Sequence, residues 1–254
     1  MKKYLTVAAA QFPVSGKIER NSKYIHTLIK KAAADGVQVI HFPESSLPGY
    51  GPKHFTSFNG YCWDTLESHI QSICTLAASL NIWVILGSMQ RDDCKLPKNC
   101  TLVVSSDGSI AGVYNKQRLY NSETNFYSSG TRPLVIDING YKCGFLICYD
   151  NCFLGLYDEY RDLEIELLFH SFLNAENSKS TNIKNLIVSN LYIRAADNQI
   201  WISASNSSKR YSPLAASIVR PDGSMVKCKS HQTGFVIDSF PEAALGWTYD
   251  NRKI

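Results

Sequence analysis

The sequence predicts an α/β fold, two halves of alternating strands and helices joined through hairpin-rich sheet. Three observations carry this. Short apolar runs of strand length alternate with stretches of helical hydrophobic period. Two pairs of such runs flank tight turns, at Ser106-Asp107-Gly108-Ser109 and at Asn139-Gly140. Hydrophobic residues make up 44% of the 254-residue chain and charged residues 19%, enough apolar material for a sizeable core and too little charge for disorder. With no linker to divide it, the chain reads as a single domain over residues 1–254.

Leu5 to Gln11 reads as the first strand, and Asn21 to Ala34 as an amphipathic helix with Tyr24, Ile25, Leu28, Ile29 and Ala32 on one face and Asn21 as a cap. Val37 to Phe42 is the next strand. Trp63 to Leu80 repeats the helical pattern through Leu66, Ile70, Ile73 and Ala77, and Ile82 to Leu86 is a short buried strand. Thr101 to Ser105 pairs with Ile110 to Tyr114, and Val135 to Ile138 with Cys143 to Ile147. An irregular stretch is expected after Cys148. Beyond it come a strand at Leu167 to Phe169, a helix from Thr181 to Ala196 and a strand at Trp201 to Ser205. Two strands around Pro221-Asp222-Gly223 and a last one from Gly234 to Ile237 complete the chain.

The net charge of +4 is spread among interspersed acidic and basic residues, which argues against nucleic-acid binding. No apolar run approaches the ~18 residues a membrane span needs. Met1-Lys2-Lys3 before Tyr4-Leu5-Thr6-Val7-Ala8-Ala9-Ala10 resembles a signal peptide only superficially, because that apolar run sits at the ~7-residue lower limit and cleavage would remove the first strand. A cytoplasmic location is the expectation. The eight cysteines (62, 74, 94, 100, 143, 148, 152 and 228) form no C-x-x-C pair and no zinc spacing, so neither a disulfide framework nor a metal is expected. Cys74 and Cys143 read as small buried hydrophobes and Cys152 as structural.

Three apolar runs end in reactive groups: Ile40-His41-Phe42-Pro43-Glu44, Val113-Tyr114-Asn115-Lys116 and Gly144-Phe145-Leu146-Ile147-Cys148. Taken singly, each has an ordinary reading: Glu44 as a cap or surface ion pair, Lys116 as a solvated lysine, Cys148 as inert core. Together they form a set with a chemistry. A carboxylate beside a thiol takes its proton, and a fixed cation keeps the carboxylate ionised and donates to a developing oxyanion. That is acyl transfer through a thioester, with Glu44 as base, Cys148 as nucleophile, and Lys116 with the Tyr149 backbone N–H as oxyanion donors.

These residues and their surroundings resemble the nitrilase superfamily of carbon–nitrogen hydrolases, its amidase-like branch in particular. Val7-Ala8-Ala9-Ala10-Gln11 is similar to the family's opening strand, and Phe42-Pro43-Glu44-Ser45-Ser46-Leu47-Pro48-Gly49-Tyr50 to its glutamate motif. Tyr114-Asn115-Lys116-Gln117-Arg118-Leu119, followed by Glu123, Phe126 and Gly130, resembles its lysine motif, and Ile147-Cys148-Tyr149-Asp150 its nucleophile motif. Arg194 to Gln199 and Ser217 to Gly223 resemble later segments. The resemblance implies a four-layer α-β-β-α sandwich that pairs into homodimers or larger homo-oligomers. It also implies hydrolysis of a small amide or carbamoyl compound without metal or organic cofactor, releasing ammonia or an amine. It places Glu123 beside the lysine and leaving group as a second carboxylate, and Tyr50 at the pocket or in its packing. The tyrosine and aspartate after the nucleophile are common in amide-cleaving relatives, whereas nitrile-cleaving ones commonly carry tryptophan and glutamate.

Two segments depart from the family. After the nucleophile the chain reads Phe153-Leu154-Gly155-Leu156-Tyr157-Asp158, lacking the usual proline, glutamate and arginine that brace the turn; His170-Ser171-Phe172-Leu173-Asn174-Ala175 replaces a proline-containing segment. Rival readings are a nitrilase or an acyltransferase using the same three residues, or a noncatalytic binding protein retaining the fold.

Overall fold

The computed structural model describes residues 4–92, 95–174, 181–210 and 212–240, and side chains within the last helix from 185 onward. Cys94, Ala175 and the lysines at the N-terminus lie outside these. In chain order the elements are β1 (Leu5–Phe12), α1 (Ile18–Ala34), β2 (Val39–His41), α2 (Gly51–His54), α3 (Trp63–Leu80), β3 (Trp83–Gln90), β4 (Lys98–Val104) and β5 (Ile110–Asn115). Then follow β6 (Val135–Ile138), β7 (Tyr141–Ile147), α4 (Leu154–Asp162), β8 (Leu167–Ser171), α5 (Thr181–Asn198), β9 (Trp201–Ser207), β10 (Ser217–Val219), β11 (Met225–Lys227) and β12 (Gly234–Phe240).

The strands form two coupled halves. One runs β5-β4-β3-β2-β1, with β12 antiparallel to β1; the other runs β6-β7-β8-β9, with β10 and β11 added beyond β9. They meet where Gln11 and Phe12 at the end of β1 pair with Asn206 and Ser207 of β9. Alternation along the strands decides the layers. Val7 and Ala9 of β1, Val39 of β2 and Ile85 of β3 join one core with Phe145 and Phe169 of the other half, while Ala8, Ala10, Ile40 and Val84 join a second core with Ile25, Leu28, Ile73 and Ala77 of α1 and α3. Leu156 and Tyr160 of α4 and Leu191 and Ala195 of α5 extend the first core on its other side. This is the α-β-β-α arrangement the resemblance implied.

Several element limits differ from the sequence expectation. Helix α1 starts at Ile18, and Asn21 caps nothing; its buried amide bridges Ser15 O at 2.6 Å and Leu47 O at 3.0 Å, pinning the loop of the glutamate motif. Strand β3 runs on past Leu86 because Gly87 is a strand residue here: a Cβ on it would collide with Pro43 O, so only glycine lets the glutamate loop lie against β3. The stretch after Cys148 is a 3-10 turn (Cys148–Cys152) followed by α4, not irregular chain. Helix α4 escapes the period test because it buries only Leu156, Tyr157 and Tyr160 and starts with a glycine at its second position. The Asn139-Gly140 turn behaves as expected, with φ of 54° and 89°.

A polar bridge crosses the sheet interface at His41. Ser171 Oγ donates to Phe42 O at 3.2 Å, so it accepts from His41 Nε2–H at 2.8 Å, and Ser203 donates to Nδ1 at 3.0 Å. Burial, with a smaller push from His170, lowers His41 to about 3 and keeps it neutral. The bridge fixes the end of β2 against β8, just before Glu44 and Phe172.

Candidate active site

The reactive groups emerge at the C-terminal ends of β2, β5 and β7, where loops leaving α/β sheets form crevices. Both Cys148 and Ser45, next to Glu44, adopt left-handed backbone conformations, with φ of 44° and 48°. For a non-glycine residue such a conformation costs on the order of 1–3 kcal/mol and clusters at functional sites. Here it turns each chain sharply at the strand end, aiming thiol and carboxylate into one cavity of about 340 Å³.

Glu44 and Lys116 are both 1% exposed and Glu123 is fully buried. Lys116 Nζ donates to Glu44 Oε1 at 2.8 Å and to Glu123 Oε1 at 2.8 Å. Asn99 at the start of β4 donates from Nδ2 to the same two oxygens, at 2.8 and 3.2 Å. Glu123 Oε2 accepts the Tyr120 N–H at 2.6 Å, so both its oxygens are engaged. The bonds to the Glu44 side chain fall on Oε1, leaving Oε2 for the cavity. The backbone is held as firmly: Lys116 N donates to Asn99 O at 2.9 Å, Gly130 N to Lys116 O at 2.7 Å, and Glu44 N to Phe172 O at 3.2 Å.

Burial, opposed by the Lys116 charge, pushes the Glu44 carboxyl above the ordinary carboxylate value. For Lys116 burial acts downward, but Glu44, Cys148 and Glu123 outweigh it and hold the ammonium well above the usual lysine value. Cys148 is enclosed by protein except toward the cavity. Its thiol is pushed well up, first by desolvation and then by Glu44, against the pull of Lys116. The resting nucleophile is therefore a neutral thiol, which needs a base to become a thiolate.

The thiol donates to Asn174 Oδ1 at 3.3 Å, and Asn174 is placed by its N–H to Asn206 Oδ1 at 3.0 Å. The Tyr149 N–H lies in the first turn of the 3-10 helix, where backbone donors have no partner within the helix. The Tyr149 ring lines the cavity and packs edge-on against Tyr120 at 5.4 Å and Phe153 at 5.3 Å. Tyr50 lines the same cavity and also packs on Tyr127 at 6.4 Å, combining the two expected roles. Asp150 faces away from substrate: Oδ2 accepts Ile147 N–H and Tyr114 O–H, at 3.0 and 2.8 Å, and Oδ1 accepts Arg118 N–H at 2.8 Å. It ties the nucleophile turn to the lysine loop, and burial raises it to about 6.

The structure thus gathers Glu44, Lys116, Cys148, Glu123, Tyr50 and Tyr149 around one cavity, with Glu123 behind Lys116 rather than on the cavity wall. Asn99, Asn174 and His41 were missed. A polar residue opening an apolar strand was the one signal for Asn99, and Asn174 sits in the departing segment. Cys152, expected to be structural, is exposed on the cavity rim. The altered turn has its own brace: Tyr157 O–H donates to Asn151 Oδ1 at 2.9 Å and lies 3.1 Å from His170 Nδ1. Larger clefts, of about 590 Å³ beside Gly130 and 550 Å³ beside Phe58, contain none of the cluster. Among the described residues, no group of three His, Cys, Asp or Glu side chains could hold a metal ion, and no helix is long and apolar enough to cross a membrane.

The fold and the order of these segments define an α/β protein of the nitrilase-superfamily type. The chain belongs to the carbon–nitrogen hydrolase family, whose model matches residues 6–242. It is 26% identical over 242 residues to an omega-amidase of Xenopus laevis, covering 89% of this chain and 85% of that one. It is 31% identical over 153 residues to a glutamine-dependent NAD(+) synthetase of Thermotoga maritima, covering 58% of this chain but 26% of the much longer synthetase. A mutant of the Nesterenkonia AN1 amidase superposes with a TM-score of 0.83 at 18% identity, covering 99% of this chain and 95% of that one.

Proposed function

We propose that this chain hydrolyses small carboxamides or carbamoyl compounds through a thioester on Cys148, releasing ammonia or an amine. The observation that carries the reading is the division of labour on Glu44: Oε1 is saturated by Lys116 and Asn99, while Oε2 is left to the cavity that holds the Cys148 thiol. As the sulfur attacks the carbonyl carbon, its proton passes to Glu44 Oε2 and the C=O electron pair moves onto oxygen. Lys116 has three N–H donors and spends two on carboxylates, so the third, with the Tyr149 N–H, is available to that oxyanion. Collapse expels the nitrogen, protonated by Glu44. Water activated by the same carboxylate then attacks the thioester and frees the acid and the thiol.

Glu123 acts through Lys116. With both oxygens bonded, it positions the ammonium and does not take a proton itself. In a Nesterenkonia amidase mutant the acetamide moiety of fluoroacetamide is added covalently at the active site cysteine, and omega-amidases and a deaminated glutathione amidase of Dictyostelium discoideum are among the relatives; these support an amide substrate and a cysteine nucleophile. The test is ammonia release from a panel of amides, carbamoyl compounds and nitriles by wild type and Cys148→Ala. Turnover that Cys148→Ala abolishes while remaining folded supports the reading, and undiminished turnover in Cys148→Ala overturns it.

A further inference from the structure

We infer, resting on the amidase reading above, that the cavity selects neutral carboxamides with an apolar acyl chain and rejects amides that carry a distal carboxylate. The walls beyond the reacting groups are Tyr50, Tyr120, Phe172, Leu173, Leu186 and Ile187. At about 340 Å³ the cavity lies at the small end of the roughly 300–1,000 Å³ typical of ligand pockets, room for one short acyl chain.

Charge decides the sign of the selection. Two buried carboxyl groups, Glu44 and Glu123, share one ammonium, Lys116, so the floor of the site has no positive charge to spare for a further anion. Two of the three Lys116 N–H donors are committed to those carboxylates, and the third is the one left for the carbonyl oxygen. Among the described residues lining the cavity, Lys116 is the only cation. A carboxylate on the substrate would enter an apolar space whose one ammonium is already shared by two carboxyl groups, with no other counter-ion on the described walls.

The polar groups that remain are neutral. Asn151 and Asn174 stand in the cavity wall, and their side-chain nitrogens are buried within it with no hydrogen-bond partner among the described residues. Uncharged amide side chains in the wall, one of them accepting from the thiol through Asn174 Oδ1, suit the dipoles of an uncharged substrate and supply no counter-charge to an anion. A cationic tail would lose its hydration against the same apolar walls, so acyl chains that are both neutral and apolar fit best.

The experiment compares kcat/KM for pentanamide and glutaramate, which share a five-carbon skeleton and differ by the terminal carboxylate. Expected is a preference for pentanamide of at least about 100-fold, the scale set by burying an unpaired charge. Leu186 is 53% exposed on the rim, so Leu186→Lys can add a cation without disturbing the core. It should raise kcat/KM for glutaramate about 5-fold or more, while Leu186→Gln, with similar bulk and no charge, should not. Equal or better turnover of glutaramate by the wild type overturns the inference and leaves the amidase reading intact. Ammonia release from no amide of either kind overturns both.

Discussion

Replacing Lys116 by methionine keeps the unbranched side chain to within one atom of its length and removes its charge from between two buried carboxyl groups. The ammonium lies 2.8 Å from one oxygen of each of two carboxylates, and all three residues are at most 1% exposed. Removing one partner of such a buried pair costs about 3–5 kcal/mol. Two carboxylates can recover part of this by sharing a proton, so a loss of about 3 kcal/mol is expected near pH 8. The pH dependence gives the sign. Without the ammonium only the Asn99 hydrogen bond opposes the desolvation that already raises Glu44, so the pair takes up a proton in the folded variant at higher pH than in the unfolded chain. The variant's deficit should therefore be largest in alkali and shrink as pH falls, by up to about 1.4 kcal/mol per pH unit. Activity loses an oxyanion donor, about 10²–10³ in turnover, and the base as well, so kcat/KM should fall by at least about 10³. Urea denaturation at pH 6, 7 and 8 and ammonia-release kinetics read the two effects. A variant within about 1 kcal/mol of wild type at every pH, or one that keeps a tenth of the activity, would refute this account of the cluster.

Glu44→Gln should abolish hydrolysis, a loss of at least about 10²–10⁴, whereas Glu123→Gln should be milder, because it weakens the hold on Lys116 without removing the base; equal losses in steady-state kinetics would contradict the division of roles. His41 is held at about 3 against 6.5 when unfolded, so its folded-state contribution is present above pH 6.5 and fades as pH falls toward 3. By pH 5 the part lost amounts to about 2 kcal/mol (1.36 kcal/mol per unit over 1.5 units). His41→Gln should flatten the acid limb of the stability curve by that amount, measured by urea midpoints, and an unchanged slope would show that His41 does not bear it. For one carbon skeleton, kcat/KM should be higher for the carboxamide than for the nitrile, and a clear preference for the nitrile would reassign the reaction while leaving the cluster in place.

The three groups Glu44, Lys116 and Cys148 were legible because each ends a recognisable apolar run, and periodicity finds such runs wherever one face is buried. The order of the strands and the longer helices was legible for the same reason, while the short helices α2 and α4 were not. What the sequence did not disclose was how the runs are bent at their ends. Positive φ at Ser45 and Cys148 falls on residues without the glycine that usually marks it, so no local signal exists. Asn99 is invisible because its job is defined by two carboxylates that approach it from other loops. Asn174 and Tyr157 show the same thing in the departing segments. The missing turn brace is replaced by a tyrosine, an asparagine and a histidine brought together from α4, the 3-10 turn and β8, a contact that exists only in three dimensions.

The central claim is a covalent acyl group on Cys148. Wild-type protein turning over pentanamide, quenched in acid and digested, should carry the acyl group on the peptide containing Cys148, and hydroxylamine added before the quench should convert it to the hydroxamate. Cys148→Ala should give neither. An acyl group on another residue, or steady ammonia release with no thioester at Cys148, would contradict the account.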